Sequence, residues 1–363
     1  MKKNLLNLLI TSTMVLSLSG CGSISSDEPT SSNPIYDRPG TLVIWDDDIL
    51  GDPDGMGTLS LVLQMHKEQT INLLAVGTHG IDTNNRKTVG ISAEMYYQGV
   101  EDIPIGINTS PNQRVSEAAN GMRYPKLYPE YNGSYKDISE FPNDGCVNDA
   151  VGCGTRREVV ELYCELLENS PRKVAIVTGG QWYNVSDLLD ETQKCNGKQV
   201  IKDKVSVVVV TTGRSTDIIT GQNFGYQDNK ARDSMLNVIN NLPVPLVLGD
   251  MKSPDYQKIP YGKVGQSFQN YNIESPTAFV YASPRYGNGL KSGHSYLDAL
   301  GLFYVVYGDN GQFSDGGTSV DKTFQPQSKN AKIVNSASGR HFERVGKYHL
   351  KSMHDEIERL LKK

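Results

Sequence analysis

Five carboxylates stand within a short stretch near the start of the chain, at Asp46, Asp47, Asp48, Asp52 and Asp54. An apolar run typical of a buried strand precedes them, and a Gly/Pro turn and an apolar segment that can form a helix follow. In open α/β folds, ligands bind just beyond the carboxyl ends of strands. Carboxylates crowded there repel one another unless a cation, a proton or bound hydroxyls compensate them. The stretch therefore predicts a hard-cation site with oxygen ligands, suited to calcium or magnesium.

Three other interpretations of this stretch compete. A solvated loop is a common origin of an acidic cluster. An EF-hand needs an oxygen ligand at its fifth loop position and Glu at its twelfth, but counting from Asp46 these positions hold Leu50 and Gly57, which excludes it. A magnesium-dependent phosphatase of the haloacid-dehalogenase type also begins with a strand and Asp-x-Asp. It needs a small hydroxyl residue shortly afterwards, which Ile49 and Leu50 do not offer, so the phosphatase is a second choice.

The strand, the Asp-Asp-Asp run, the Gly-containing turn and the Asp-Pro-Asp at a helix start resemble the opening motif of the nucleoside hydrolase family. One position departs from that motif, because Gly55 stands where the family carries a second aspartate. The resemblance implies an α/β fold with an open, mostly parallel, Rossmann-like sheet flanked by helices. It also implies an enzyme that cleaves the N-glycosidic bond of ribonucleosides with a calcium-activated water.

Later segments resemble the same family. Thr178 opens a Thr-Gly-Gly segment whose threonine carbonyl is implied as a calcium ligand, and Asp298 lies at a predicted helix start, where the family completes the calcium site. Leu297 replaces the histidine that many relatives carry as a proton donor, and His294 is the nearest substitute. By the same resemblance Asp48 is the general base and a metal ligand, and Asp46 supports it.

Substrate contacts are expected from polar residues spread along the chain. Asp54 and Asp52 are implied to hold ribose, Asp54 being a metal ligand as well. Gln222 and Asn223 resemble, more loosely, a segment whose side chains hold ribose hydroxyls. His79 lies at the end of a predicted strand and can face the same pocket, although a loop histidine without a role is at least an equal alternative.

Strands and helices alternate along the rest of the chain, which predicts parallel strands joined by right-handed crossovers. The predicted strands are 72–79, 103–107, 173–178, 205–212 and 244–249, and the predicted helices include 84–98 and 156–169. Residues 108–155 are rich in Pro, Asn, Gly and Tyr and predict an irregular insertion, either a lid or a surface feature. The tail predicts a strand followed by an amphipathic helix.

The N-terminus has the features of an exported protein. A basic start and an apolar run too short for a comfortable membrane span end in Leu-Ser-Gly-Cys, which resembles a bacterial lipobox. We therefore expect a signal peptide at 1–20, lipidation of Cys21, anchoring to a bacterial cell membrane, a flexible tether at 21–40 and one domain at 41–363. A net charge of −5 without a basic stripe argues against nucleic-acid binding.

Four cysteines remain beside Cys21, and an even number in an exported chain predicts two disulfides with three alternative connectivities. Cys146–Cys153 closes a short loop and is the first choice, which leaves Cys164–Cys195. A zinc site is a weak alternative because no Cys-x-x-Cys spacing occurs.

A second function from a different class also fits the sequence. A non-catalytic surface lipoprotein that captures nucleosides or sugars is favoured by Gly55, Gln222 and Leu297, which all depart from the family pattern. In both cases the expected partner is a small riboside, and the resemblance implies a homo-oligomer.

Overall fold

The computed structural model describes a set of separate ranges: residues 36–49, 53–78, 86–100, 102–108, 156–212, 218–219, 229–250, 276–277, 298–308, 318–326, 331–335, 340–344 and 350–361. In these ranges, no helix has both the length and the apolar composition needed to cross a membrane. The predicted leader, Cys21 and, apart from Asn108, the predicted insertion lie outside them.

Strands and helices alternate through the described residues. The strands are β1 Thr41–Asp47, β2 Ile71–Thr78, β3 Ile105–Ile107, β4 Arg156–Glu158, β5 Val174–Thr178, β6 Val205–Thr212, β7 Ile218–Ile219, β8 Leu246–Asp250, β9 Thr318–Pro326, β10 Ala331–Asn335 and β11 Arg340–Arg344. The helices are α1 Pro53–Lys67, α2 Arg86–Gln98, α3 Val159–Asn169, α4 Tyr183–Asp190, α5 Gly197–Lys204, α6 Asn229–Asn241, α7 Ala299–Tyr307 and α8 Leu350–Leu361.

These strands form one open sheet in the order β4-β3-β2-β1-β5-β6-β8-β11-β9-β10-β7. Pairing is parallel from β4 through β11, and β9, β10 and β7 add an antiparallel edge. The prediction of an open, mostly parallel sheet flanked by helices is therefore confirmed. Strand β1 lies inside the sheet between β2 and β5, so the acidic run emerges between two neighbouring strand ends.

Alternate residues of β1 pack into two different helical layers. Val43 and Trp45 pack with side chains of α1, α7 and α8, whereas Leu42 and Ile44 pack with side chains of α3, α4 and α6. Successive side chains of a strand point to opposite faces. The side chains of the two aspartates that end β1 therefore point in opposite directions. Asp46 faces the layer that contains α3, and Asp47 faces the layer that contains α1.

The predicted starts of one helix and one strand near the acidic run are corrected by the structure. The helix predicted at 156–169 begins at Val159, because Arg156–Glu158 pair in parallel with β3 as β4. The Glu158 side chain then accepts a hydrogen bond from the Glu161 amide at 2.9 Å, so this residue ends the strand and caps the helix. Strand β3 begins at Ile105 instead of residue 103. The preceding Pro104 has no amide proton and contributes its carbonyl to β2.

The end of the predicted tether belongs to the folded domain. Tyr36 is buried, and its hydroxyl donates to the Leu166 carbonyl of α3 at 2.9 Å. The Arg172 guanidinium donates to the carbonyls of Tyr36, Arg38 and Gly40. Packing against the domain therefore extends back to Tyr36, five residues before the predicted domain start at Thr41.

A disulfide joins Cys164 of α3 to Cys195, just before α5. The prediction of this pair is confirmed, while Cys146 and Cys153 lie outside the described residues. The bond encloses β5, the turn that follows it and α4, so it closes a loop around one side of the candidate site.

Candidate functional site

The acidic run and the Thr178–Gly179 turn lie side by side at the carboxyl edge of the sheet. In the strand register Asp46 pairs with Thr178 of β5, and Asp47 pairs with Thr78 of β2. The Gly179 amide donates to the main-chain carbonyl of Asp46 at 2.9 Å. The fold thus brings together two segments that are far apart in the sequence and were predicted to share a site.

Asp46 is held from inside the fold by two side-chain donors. Its Oδ2 accepts hydrogen bonds from the Tyr163 hydroxyl at 2.5 Å and from Nδ2 of Asn184 at 2.7 Å. Asn184 also donates to the Thr78 carbonyl at 3.0 Å and accepts from Asn108 at 2.6 Å. The carboxylate is only 1% exposed, so these donors replace water around it. Donors from the protein interior are what a residue supporting a neighbouring site requires.

Burial and hydrogen bonding have opposite effects on the pKa of the Asp46 carboxyl. Burial raises the pKa of the Asp46 carboxyl to about 6, although the donors Tyr163 and Asn184 and the positive charge of Lys87 oppose that rise. Burial also raises the pKa of the Tyr163 hydroxyl well above its usual value, and the adjacent negative charge of Asp46 adds to the effect. At pH values well above 6 the pair is therefore an ionised carboxylate accepting from a neutral hydroxyl.

A glycine on β2 makes room for this contact. A Cβ atom at Gly77 would lie 1.7 Å from the Tyr163 hydroxyl oxygen and 2.6 Å from Oδ2 of Asp46. Real Cβ atoms do not approach other atoms so closely, so any side chain at position 77 would separate the tyrosine from the aspartate. The hydrogen bond therefore depends on a glycine in a neighbouring strand.

Asp47 occupies a narrow space between two glycines. A Cβ at Gly179 would lie 2.5 Å from its Oδ1, and a Cβ at Gly55 would lie 3.3 Å from its Oδ2. The same Oδ1 accepts the Asp48 amide at 2.7 Å. Asp47 was given no role from the sequence. The alternation of side chains along β1 was the available signal, since it turns Asp47 towards the layer that contains α1 and α7.

Asp54 and Asp298 are buried at the starts of two helices of that same layer. Asp54 lies in the first turn of α1, directly after Pro53. Asp298 precedes α7, and its side chain makes no capping hydrogen bond to that helix. Helix N-termini favour negative charge, so both carboxylates have a favourable position. Asp48 is half-buried just beyond β1.

The donor chemistry of the described residues suits a hard cation. Carboxylate and carbonyl oxygens are the ligands that calcium prefers. In the described ranges, however, no group of three or more Asp, Glu, His or Cys side chains is placed to hold a metal ion. Asp46 already accepts two protein hydrogen bonds on one oxygen.

Several residues predicted to act in the site lie outside the described residues, namely Asp52, His79, Gln222, Asn223 and His294. No contact of Tyr163, Asn108 or Asn184 with the acidic run was predicted from the sequence. A tyrosine inside an amphipathic helix carries no local signal of a contact with an aspartate more than a hundred positions earlier.

Comparison with solved structures shows which known proteins share this fold. No family model and no curated protein sequence matches the chain. The inosine-uridine preferring nucleoside hydrolase of Bacillus anthracis is similar in structure, with a TM-score of 0.62 and 16% identity over 89% of this chain and 99% of that one. An inosine-guanosine nucleoside hydrolase gives a TM-score of 0.61 at 11% identity, over 89% and 99% of the two chains.

A third similar structure is the type III effector protein XopQ complexed with adenosine diphosphate ribose. Its TM-score is 0.59 at 14% identity, over 92% of this chain and 98% of that one. The chain therefore has the fold of the nucleoside hydrolases over most of its length. Sequence identities this low establish the fold alone.

Proposed function

We propose that this protein is a hydrolase that cleaves the N-glycosidic bond of ribosides, releasing the base and the sugar. The observation that carries the proposal is the meeting of the acidic end of β1 with the Thr178–Gly179 turn, at the carboxyl edge of a sheet with the nucleoside hydrolase fold. Ligands of open α/β sheets bind at this edge. Two of the similar structures are nucleoside hydrolases by name, which supports the same reaction class.

The reaction requires a base, an acid and a negative environment. Asp48, half-buried beside the end of β1, takes a proton from the attacking water as its oxygen bonds to the anomeric carbon. The bond from that carbon to the base nitrogen breaks, and the departing base takes up a proton, for which His294 is the proposed donor. The surrounding carboxylates, Asp47 and Asp54 among them, favour the positive charge that develops on the ribosyl ring.

Calcium is the proposed cofactor, with Asp48, Asp54, the Thr178 carbonyl and Asp298 as its ligands. When bound, calcium supplies a positive charge that makes a coordinated water easier to deprotonate. The oxygen donor set supports a hard cation, and Asp52 stands close enough in the sequence to add a further carboxylate. A calcium-dependent rise in melting temperature of the apo-protein, absent in Asp298→Ala, tests the proposed ligands without measuring activity.

We also propose that the protein is exported and attached to a bacterial cell membrane through a lipid on Cys21. The support is the lipobox-like segment that ends at this cysteine. Incorporation of a labelled fatty acid by cells that express the full chain, lost in Cys21→Ser, tests it. A labelled Cys21→Ser protein would contradict it.

Base release from nucleosides tests the reaction. The chain after Cys21 is incubated with calcium and a panel of purine and pyrimidine ribonucleosides, and free base and reducing sugar are measured. Asp48→Ala and EDTA should abolish release, whereas Asp203→Ala, which removes an exposed carboxylate of α5, should leave it unchanged. Loss of activity in Asp203→Ala, or activity retained in Asp48→Ala, would contradict the assigned roles. Hydrolysis of a phosphomonoester with magnesium instead would indicate the phosphatase.

A non-catalytic riboside-binding protein is the second candidate. Two observations favour it, Gly55 in place of an aspartate and a similar effector protein that holds adenosine diphosphate ribose. Quenching of tryptophan fluorescence by nucleosides and by adenosine diphosphate ribose would reveal such binding, since Trp45 directly precedes Asp46 and Trp182 follows the Thr178–Gly179 turn by three residues. Binding without base release, retained in Asp48→Ala, would support this candidate over the hydrolase.

A further inference from the structure

A buried network of polar side chains links the acidic run to α3 and α4. It joins Asp46 to Tyr163 and Asn184, and Asn184 in turn to Asn108. We propose that Tyr163 is a positioning residue, which acts through Asp46 on both the acidic run and the Thr178–Gly179 turn. This inference rests on the proposed function, because the segments it positions are those assigned to riboside hydrolysis.

The Tyr163 hydroxyl is fixed independently of the site. Its ring is fully buried in the hydrophobic layer beneath the sheet, and the disulfide at the next residue, Cys164, ties the same helix to Cys195. A rigid helix is a better support for a donor than a loop. The Tyr163 hydroxyl therefore has a defined position, and this position determines the orientation of the Asp46 carboxylate.

Asp46 connects this donor with the two site segments. Its side chain accepts a hydrogen bond from the Tyr163 hydroxyl at 2.5 Å, and its main-chain carbonyl accepts a hydrogen bond from the Gly179 amide at 2.9 Å. The next residue is Asp47, whose carboxylate lies against Gly179 and accepts the Asp48 amide. A shift of Asp46 is consequently transmitted to the proposed general base and to the proposed carbonyl ligand at once.

Asn184 hydrogen-bonds to other groups besides Asp46. Its amide group is shared between Oδ2 of Asp46 and the Thr78 carbonyl, and its own oxygen accepts from Asn108. Loss of the tyrosine hydroxyl would remove the shorter of the two hydrogen bonds that Oδ2 of Asp46 accepts from Tyr163 and Asn184. The glycine at position 77, which the contact requires, shows that the neighbouring strand accommodates the hydroxyl specifically.

Tyr163→Phe in the full-length, detergent-solubilised chain tests the inference, and Tyr36→Phe is the matched control. Each substitution removes one buried hydroxyl. The Tyr163 hydroxyl belongs to α3 and donates to Asp46, whereas the Tyr36 hydroxyl donates to the Leu166 carbonyl of α3, away from the acidic run. In Tyr163→Phe we expect kcat for base release to fall by about 10-fold to 100-fold. KM should change by less than about threefold, because the substrate contacts are retained. Tyr36→Phe should keep the wild-type kcat.

Hydrogen exchange of the Gly179 amide gives a readout that does not depend on activity. We expect this amide to exchange at least about tenfold faster in Tyr163→Phe and at the wild-type rate in Tyr36→Phe. Unchanged exchange in Tyr163→Phe, or equal acceleration in both variants, would overturn the positioning role. Accelerated exchange with wild-type kcat would overturn its link to catalysis. If the wild-type chain releases no base but Gly179 responds only to Tyr163→Phe, the hydrolase proposal fails while the structural coupling stands.

Discussion

Removing the Cys164–Cys195 disulfide is expected to destabilise the domain while leaving its fold intact. The bond links residues 31 positions apart, and the enclosed loop contains β5, the Thr178–Gly179 turn and α4. In the chain-entropy treatment, a cross-link over a loop of this length stabilises the folded state by about 3.7 kcal/mol. The helices on both sides of the bond remain buried in a shared apolar layer, so the double variant Cys164→Ala/Cys195→Ala should still fold.

Thermal unfolding measures this effect. With an unfolding entropy of about 2.1 cal/mol/K per residue, a loss of this size lowers the melting temperature of a chain this long by about 5 °C. Reduction of the wild type should reproduce the shift. Reductant added to the double variant isolates any contribution from Cys146 and Cys153, the other predicted pair. A melting temperature within about 1 °C of the wild type, with mass spectrometry confirming the bond in the wild type, would refute the entropic argument.

Three further substitutions have expected outcomes. Gly179→Ala should displace the Asp47 carboxylate, from whose Oδ1 a Cβ would lie only 2.5 Å, and should cost about 1–3 kcal/mol in denaturant unfolding together with most of the activity. Gly77→Ala should cost about 3 kcal/mol or more, because it separates the tyrosine hydroxyl from a buried carboxylate; a wild-type unfolding midpoint would contradict this. Burial lowers the pKa of His66, whose Nδ1 accepts the Leu73 amide, so the neutral ring contributes stability above the unfolded pKa near 6.5 that is lost as pH falls below it. His66→Gln should therefore weaken the dependence of stability on pH between about 5 and 7.5, and an unchanged dependence would exclude this histidine.

The central strands were predictable because burial on both faces leaves a direct mark on the sequence. Strands β5 and β6 are nearly continuous runs of valine and other apolar residues, as expected inside a parallel sheet. Strands β9 and β10 carry no such mark. The segment Thr-Ser-Val-Asp-Lys-Thr-Phe-Gln-Pro mixes charged and apolar residues, and its antiparallel pairing at the sheet edge depends on partners supplied by the rest of the fold.

The candidate site divides in the same way between local and long-range information. The end of β1, the first turn of α1 and the start of α7 follow from local signals, namely an apolar run, a proline at a helix start and an aspartate before an apolar helix. The partners of Asp46 do not. Tyr163 and Asn184 lie 117 and 138 positions away, and only the packing of α3 and α4 beneath the sheet brings them to one carboxylate oxygen.

Glycine at position 55, where the nucleoside hydrolase motif has an aspartate, is close in space to Asp47 of β1. A Cβ at position 55 would lie 3.3 Å from Oδ2 of Asp47, so an aspartate there would place a second negative charge against a carboxylate that is already fully buried. Glycine at 55 and aspartate at 47 are therefore mutually compatible, and aspartate at both positions would require one side chain to move or to bind a proton. In the linear motif, Gly55 removes a carboxylate. In the folded protein, the same glycine leaves room for the carboxylate of Asp47.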